Sequence, residues 1–354
     1  MVVRQLVEYL PKLAPEWCFL FLRSREMPDP LSSDPNVREL EVSAGSNSPA
    51  GMWLLPHLVD LHGVDLFHAP SNILPAGLKM ATVTTIHDLM WLTRPDLCNP
   101  RLWGHAERLF YQHGMRRALR SSDAIVSVSE ATRSDIAHYS PAAEAKTTAI
   151  LSGVSDHFRP VDPNAPDLLA IGLADAPYIL TVGQNAPYKN HEAALKSFAR
   201  AFAQTDMRLV LVQRRGQRMR ALDEFARSLG IAGQIQAIEP VNDEALVKLY
   251  SGALALLHPS LCEGFGMPVA EAMACGCPVI TSNLSAMPEV AGDAALLIDP
   301  TDQDAIAAAL QRVASEPGLR AEMKARGLNR AAQLSWKRCA ERHIELYREV
   351  LDRR

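Results

Sequence analysis

The chain has 354 residues, 48% of them hydrophobic and 21% charged, with a formal net charge of −4. That length accommodates two domains with separate cores, and the charge excludes a protein drawn to nucleic acid by its overall field. No run of 18 apolar residues occurs and the start lacks the layout of a secretory leader, so a cytosolic, two-domain protein of enzyme size is expected, its six cysteines serving as reduced packing thiols.

In chain order, Val2–Leu13 reads as a helix with Leu6, Val7, Leu10 and Leu13 on one face. Cys18–Leu22, Leu66–His68, Thr82–Ile86, Ala124–Val128 and Thr148–Leu151 read as buried strands, with helices at Pro100–Ser121 and Glu130–Tyr139. His68 follows one of these strands in Phe67-His68-Ala69-Pro70, where loop packing and substrate contact are equally open readings. His87 follows another in Thr84-Thr85-Ile86-His87-Asp88, the place where a residue able to exchange a proton near neutrality would face a ligand. Arg101–Arg120 carries five Arg and one Glu beside Trp103, Phe110 and Tyr111, which fits a core helix with a basic outer face and also a membrane-surface helix.

A Pro/Asp/Ala-rich stretch, Arg159–Ala170, reads as a linker, after which the alternation restarts. Strands are expected at Tyr178–Val182, Arg208–Val212, Gln234–Ala237, Ala253–His258, Pro278–Ser282 and Ala295–Ile298, with helices at Asn190–Gln204, Gln217–Gly230 and Asp243–Gly252. Ser335–Arg354 reads as a terminal amphipathic helix. The pattern predicts two doubly wound, Rossmann-like α/β domains facing across a cleft, at residues 1–160 and 171–334, with 335–354 returning to the first.

Two segments of the second half point to an anion site. Gly183 to Lys189 joins the first strand to the first helix, the phosphate-binding corner of a doubly wound sheet, and Lys189 can neutralise a diphosphate there. Residues 259–279, Pro-Ser-Leu-Cys-Glu-Gly-Phe-Gly-Met-Pro-Val-Ala-Glu-Ala-Met-Ala-Cys-Gly-Cys-Pro-Val, open a second helix through a Gly-rich turn. Gly264 and Gly266 admit a ligand close to the backbone, Pro268 suits the first turn, and the N–H groups of Gly266 and Met267 stand at the positive end of the helix dipole. Glu263 and Glu271, eight positions apart, would repel phosphates unless they accept hydroxyl hydrogen bonds, as from a sugar and a ribose.

This stretch resembles the E-x7-E signature of the retaining glycosyltransferases of family 4, which adopt the GT-B fold, and the resemblance extends over nearly the whole chain. It implies that Glu263 contacts the donor sugar, that Glu271 binds the ribose and that His87 lies near the reacting carbon. Gly264, Phe265, Gly266, Met267 and Lys189 would complete the donor site. Relatives carry an Arg where Tyr188 or Gln184 stands; Arg214 or Arg215 could replace it, a solvated basic turn being the other reading of that pair. The strand and Gly-rich loop with which relatives begin are expected to be missing, through a misassigned or truncated start or a true variant. The implied activity is transfer of a hexose, mannose-like, from a nucleoside-diphosphate sugar to a glycan or lipid-linked acceptor in polysaccharide synthesis. No cofactor and no metal are expected, because no Asp-x-Asp stands at a strand end. Peripheral contact at the inner membrane face is a further expectation. The alternatives are a truncated or degenerate nucleotide-sugar-binding protein without turnover, an epimerase of the same fold, and a phosphorylase using inorganic phosphate.

Overall fold

The computed structural model describes residues 2–353 except 28, 46, 99–103, 163–172, 174–175 and 215–216. The start of the basic helix, most of the expected linker and Arg215 therefore lie outside the described residues. The chain divides into two compact units, residues 1–153 with 335–354, and residues 154–334.

In the first unit, β1 (Phe19–Ser24) and β2 (Val37–Val42) form a parallel pair, and β3 (Leu66–Ala69), β4 (Ala81–Ile86), β5 (Ala124–Ser127) and β6 (Thr147–Ala149) form a parallel sheet in that order. β2 was not expected from the sequence. Its Arg38, Glu39 and Glu41 obscure the apolar alternation, yet Glu39 and Glu41 both pair with Arg23 across the ladder, at 3.0 and 2.8 Å. Charges of this kind suit an edge strand. β4 is buried at every position, as expected of a parallel strand covered on both faces. Helix Gly104–Ser121 packs Met115, Ala118 and Leu119 into the same core as Ile86, Ile125 and Ile136.

Helix Trp336–Asp352 belongs to this first unit and packs on Val2–Leu13. Ser335 caps it by accepting from the Arg338 N–H at 3.4 Å, and its buried face runs through Trp336, Ala340, His343, Ile344 and Tyr347. Tyr347 shares a 2.6 Å hydrogen bond with His68 Nδ1, and His68 Nε2 lies 2.8 Å from the Thr85 hydroxyl, so both ring nitrogens of His68 are taken in seating this helix. Burial, then the neighbouring His343 and His87, hold the His68 pKa well below its ordinary value, and burial holds His343 at about 4. Gly153 faces the same helix. A Cβ there would stand 2.2 Å from the Trp336 backbone nitrogen and 2.6 Å from the Ser335 carbonyl carbon, neither of which can step aside. Gly153→Ala is expected to destabilise the first unit by about 1–3 kcal/mol, read as a lower midpoint in denaturant unfolding; an unchanged midpoint would contradict this packing.

The second unit holds six parallel strands, β7 (Tyr178–Val182), β8 (Arg208–Val212), β9 (Ile235–Ile238), β10 (Ala255–His258), β11 (Val279–Ser282) and β12 (Ala295–Ile298). Their order across the sheet is β9-β8-β7-β10-β11-β12. That is the doubly wound arrangement in which the order of the parallel strands reverses between the first and fourth, and the crevice beyond their carboxyl ends is where such sheets bind ligands. Helix His191–Phe202 covers one face with Leu195, Phe198 and Phe202, which join Leu209, Leu211, Leu257 and Ile280 in a continuous core.

Candidate active site

The site of the second unit is built at that reversal point. From β7 the chain turns through Gly183, whose φ of +127° belongs to glycine, and runs to Lys189. Asn190 follows at φ +58° and donates through Nδ2 to the carbonyls of Pro259 at 3.1 Å and Pro300 at 2.8 Å. The Leu261 N–H donates to the Tyr188 carbonyl at 2.7 Å. These bonds stitch the loop after β7 to the loop after β10, which is why Lys189 and Glu263, 74 residues apart, meet.

Lys189 Nζ pairs with Glu263 Oε1. The same oxygen accepts from Ser260 Oγ at 3.0 Å and from His258 Nε2 at 3.2 Å. The Glu263 backbone is fixed as well: its N–H donates to Ser285 Oγ at 3.2 Å, and that hydroxyl donates to the Glu263 carbonyl at 3.0 Å. Burial would raise the Glu263 carboxyl, but the Lys189 charge and the His258 hydrogen bond outweigh it and hold the pKa at about 2. Burial and the Lys189 charge push His258 below its ordinary range against the pull of Glu263, which leaves it neutral near pH 7.

Beyond Glu263, Gly266 takes φ +91° and caps helix Met267–Ala274, with Pro268 in its first turn. The N–H groups of Gly266 and Met267 cannot be used by the helix itself, and they stand at its positive end. Glu271, on this helix, is 4% exposed and accepts from the Tyr250 hydroxyl at 3.0 Å. Burial drives its carboxyl up to about 7, with Asp243 adding to the rise and the Tyr250 hydrogen bond and Lys189 opposing it. Chemically, the arrangement offers a cation and a helix terminus for a diphosphate, and two carboxylates each tethered through one oxygen.

The structure thus brings together Lys189, Glu263, Gly264, Phe265, Gly266, Met267 and Glu271 within one unit. Arg214 is exposed after β8, and among the described residues no hydrogen bond or ion pair links it to Lys189, Glu263 or Glu271. His87 sits in the first unit at the end of β4. Its N–H donates to Asn72 Oδ1 at 2.6 Å and its Nε2 lies 2.8 Å from the Pro70 carbonyl. A carbonyl only accepts, so Nε2 carries the proton and a neutral His87 presents Nδ1 as its acceptor. Asp88 accepts from the Met90 N–H at 2.9 Å. Sequence reasoning missed His258, Ser260, Tyr250, Asn190 and Asn72. Only His258 and Ser260 carried a signal, standing at a strand end directly before the Gly-rich turn. Among the described residues no group of three or more His, Cys, Asp and Glu could hold a metal ion.

Known proteins resemble both halves of the chain. Residues 1–158 match the profile described as Glycosyltransferase Family 4, and residues 171–330 match Glycosyl transferases group 1. O-antigen chain mannosyltransferase B of Escherichia coli is 35% identical over 288 residues, which cover 80% of this chain and 74% of that one. The serotype-specific mannosyltransferase WbdA of Escherichia coli is 28% identical over 279 residues, 76% of this chain but only 34% of that much longer protein. The solved sucrose-phosphate synthase of Thermosynechococcus elongatus superposes with a TM-score of 0.79 at 21% identity, covering 99% of this chain and 93% of that one. The chain belongs to the family 4, group 1 glycosyltransferases, and it is an enzyme of the GT-B fold.

Proposed function

We propose that this glycosyltransferase transfers a mannose-like hexose, with retention of configuration, from a nucleoside-diphosphate sugar to an acceptor hydroxyl of a growing polysaccharide. The observation that carries the donor reading is the convergence of Lys189, Glu263 and the Met267–Ala274 helix start at the reversal point of the second sheet. The hexose and the polysaccharide rest on the names of the relatives. Lys189 and the N–H groups of Gly266 and Met267 stabilise the departing diphosphate, Glu271 accepts from the ribose, and Glu263 accepts from the sugar hydroxyls. His87 is the first unit's residue in the transfer, and the leaving phosphate takes the acceptor proton.

The test is calorimetric titration with a panel of guanosine, uridine and adenosine diphosphate sugars. One donor is expected to bind saturably and to lose about a hundredfold in affinity in Lys189→Ala. Binding of none, or equal binding by the variant, would overturn the donor site. The anomeric configuration of the product, read by nuclear magnetic resonance, tests retention.

We also propose peripheral contact with an anionic membrane face through the first unit. Trp53, Leu54, Leu58 and Leu109 are exposed, Leu109 at 68%, and Trp53 lies edge-on to Phe110 at 6.0 Å. Arg108, Arg116 and Arg120 are exposed on the same helix as Leu109. Exposed apolar side chains among basic ones suit such an interface. Among the described residues no helix is long and apolar enough to cross a membrane. The protein is expected to sediment with phosphatidylglycerol vesicles and not with phosphatidylcholine vesicles, and Leu109→Asp is expected to abolish this.

A further inference from the structure

We propose that His258, with Ser260, is a positioning residue that holds the Glu263 carboxylate by one oxygen and so presents the other to the donor sugar. This rests on the donor-site reading above and adds two residues to it. His258 ends β10 at 2% exposure, and Ser260, two positions on, is 1% exposed. His258 Nε2 and Ser260 Oγ both reach Glu263 Oε1, at 3.2 and 3.0 Å, and stand 3.2 Å from each other. Lys189 Nζ is the third donor to that oxygen. Among the described residues no hydrogen bond is made to Oε2. The His258 backbone is itself pinned, its carbonyl accepting from Thr281 Oγ1 of the neighbouring strand at 2.9 Å.

The three donors differ in kind. Lys189 carries its charge on a flexible four-carbon stem and is a cation that a diphosphate will also claim, so the two anions must share or divide it. His258 and Ser260 are short, buried and neutral, and neither has a second anion to serve. An ionised carboxylate oxygen only accepts, so His258 is the Nε2–H tautomer. When the diphosphate draws Lys189 toward itself, these two donors keep the carboxylate plane from rotating. Oε2 then stays where a sugar hydroxyl can donate to it. His258 touches neither sugar nor phosphate in this scheme; it acts through Glu263.

The readout is the sugar's share of donor affinity, the ratio of GDP-mannose to GDP binding measured by calorimetry, with UDP-glucose and UDP run in parallel. In His258→Ala the ratio is expected to fall about tenfold while nucleoside-diphosphate affinity stays within about twofold. His258→Gln, whose amide nitrogen can reach the place of Nε2, is expected to restore most of the ratio. Ser260→Ala, a smaller change that leaves the strand end intact, is expected to lower it about threefold and keeps the test open if His258→Ala does not fold. An unchanged ratio in both alanine variants would overturn the proposal. So would a parallel loss of diphosphate and sugar affinity that Gln does not rescue, because that is the mark of a disrupted strand end. A wild-type protein that binds none of the four nucleotides would overturn the donor reading itself, a result distinct from either.

Discussion

Glu263→Gln is expected to reduce glycosyl transfer by about a hundred- to a thousandfold while raising the affinity for the nucleoside diphosphate severalfold. The two effects have one cause. In the native side chain Oε1 receives Lys189, His258 and Ser260, so a Gln will keep its carbonyl oxygen there and place its NH2 where Oε2 stood. Under the proposed donor reading, the acceptor offered to the sugar becomes a donor, and a sugar hydroxyl donating there is left opposing an N–H. Lys189, 11% exposed at its side chain, loses its counter-charge and becomes a better partner for phosphate. Initial transfer rates and calorimetry with the diphosphate measure the two arms. A variant with native transfer rates would remove Glu263 from the chemistry. The ion pair also sets an acid limit. The Glu263 pKa is depressed to about 2, so its contribution to stability is present above about pH 4.5 and is lost as pH falls toward 2.

Glu271 behaves in the opposite sense. Its folded-state pKa of about 7 lies above the ordinary carboxylate value of 4.5, so the folded protein holds a proton that the unfolded chain releases between those values. Stability therefore falls as pH rises from about 4.5 to 7, by up to about 3 kcal/mol for this group. In the proposed donor site the ribose is met by the Glu271 carboxylate, so donor affinity is expected to rise about tenfold between pH 6 and pH 8. Glu271→Gln is expected to lose that slope, to bind donor about 10- to 100-fold more weakly at pH 8, and to unfold at a higher denaturant concentration there than the native protein. Titrations at three pH values and one pair of unfolding curves decide it. A pH slope that survives the substitution would assign the titration to another group.

The fold was legible wherever one local period dominated. Val2–Leu13, Glu130–Tyr139 and Asp243–Gly252 are helices at the expected residues, and Tyr178–Val182, Arg208–Val212 and Ala295–Ile298 are strands at the expected residues. Val37–Val42 escaped because its pairing with β1 is carried by ions, which a hydropathy pattern does not weight. The order β9-β8-β7-β10-β11-β12 is the one the doubly wound reading implies, strands winding outward on both sides of the first, whereas the register within each pair was not legible from spacing. The site divides in the same way. Lys189, Glu263 and Glu271 stand in recognisable local contexts, a strand-to-helix corner and a Gly-rich helix start. Tyr250 and Asn190 act only through contacts that the folded chain creates: Tyr250 reaches Glu271 from 21 residues away, and Asn190 reaches Pro300 from 110. Asn72 reaches His87 in the first unit by the same kind of tertiary contact.

The seating of Trp336–Asp352 in the first unit has a consequence for biosynthesis. That helix leaves the ribosome only after all of residues 154–334, whereas the second unit is one unbroken stretch of chain. The second sheet can close during translation, but the first unit must wait with Val2–Leu13 and His68 lacking their covering helix. Of these two units the one begun earlier is thus completed later, and a nascent chain stalled before residue 336 exposes an unfinished core to chaperones and proteases.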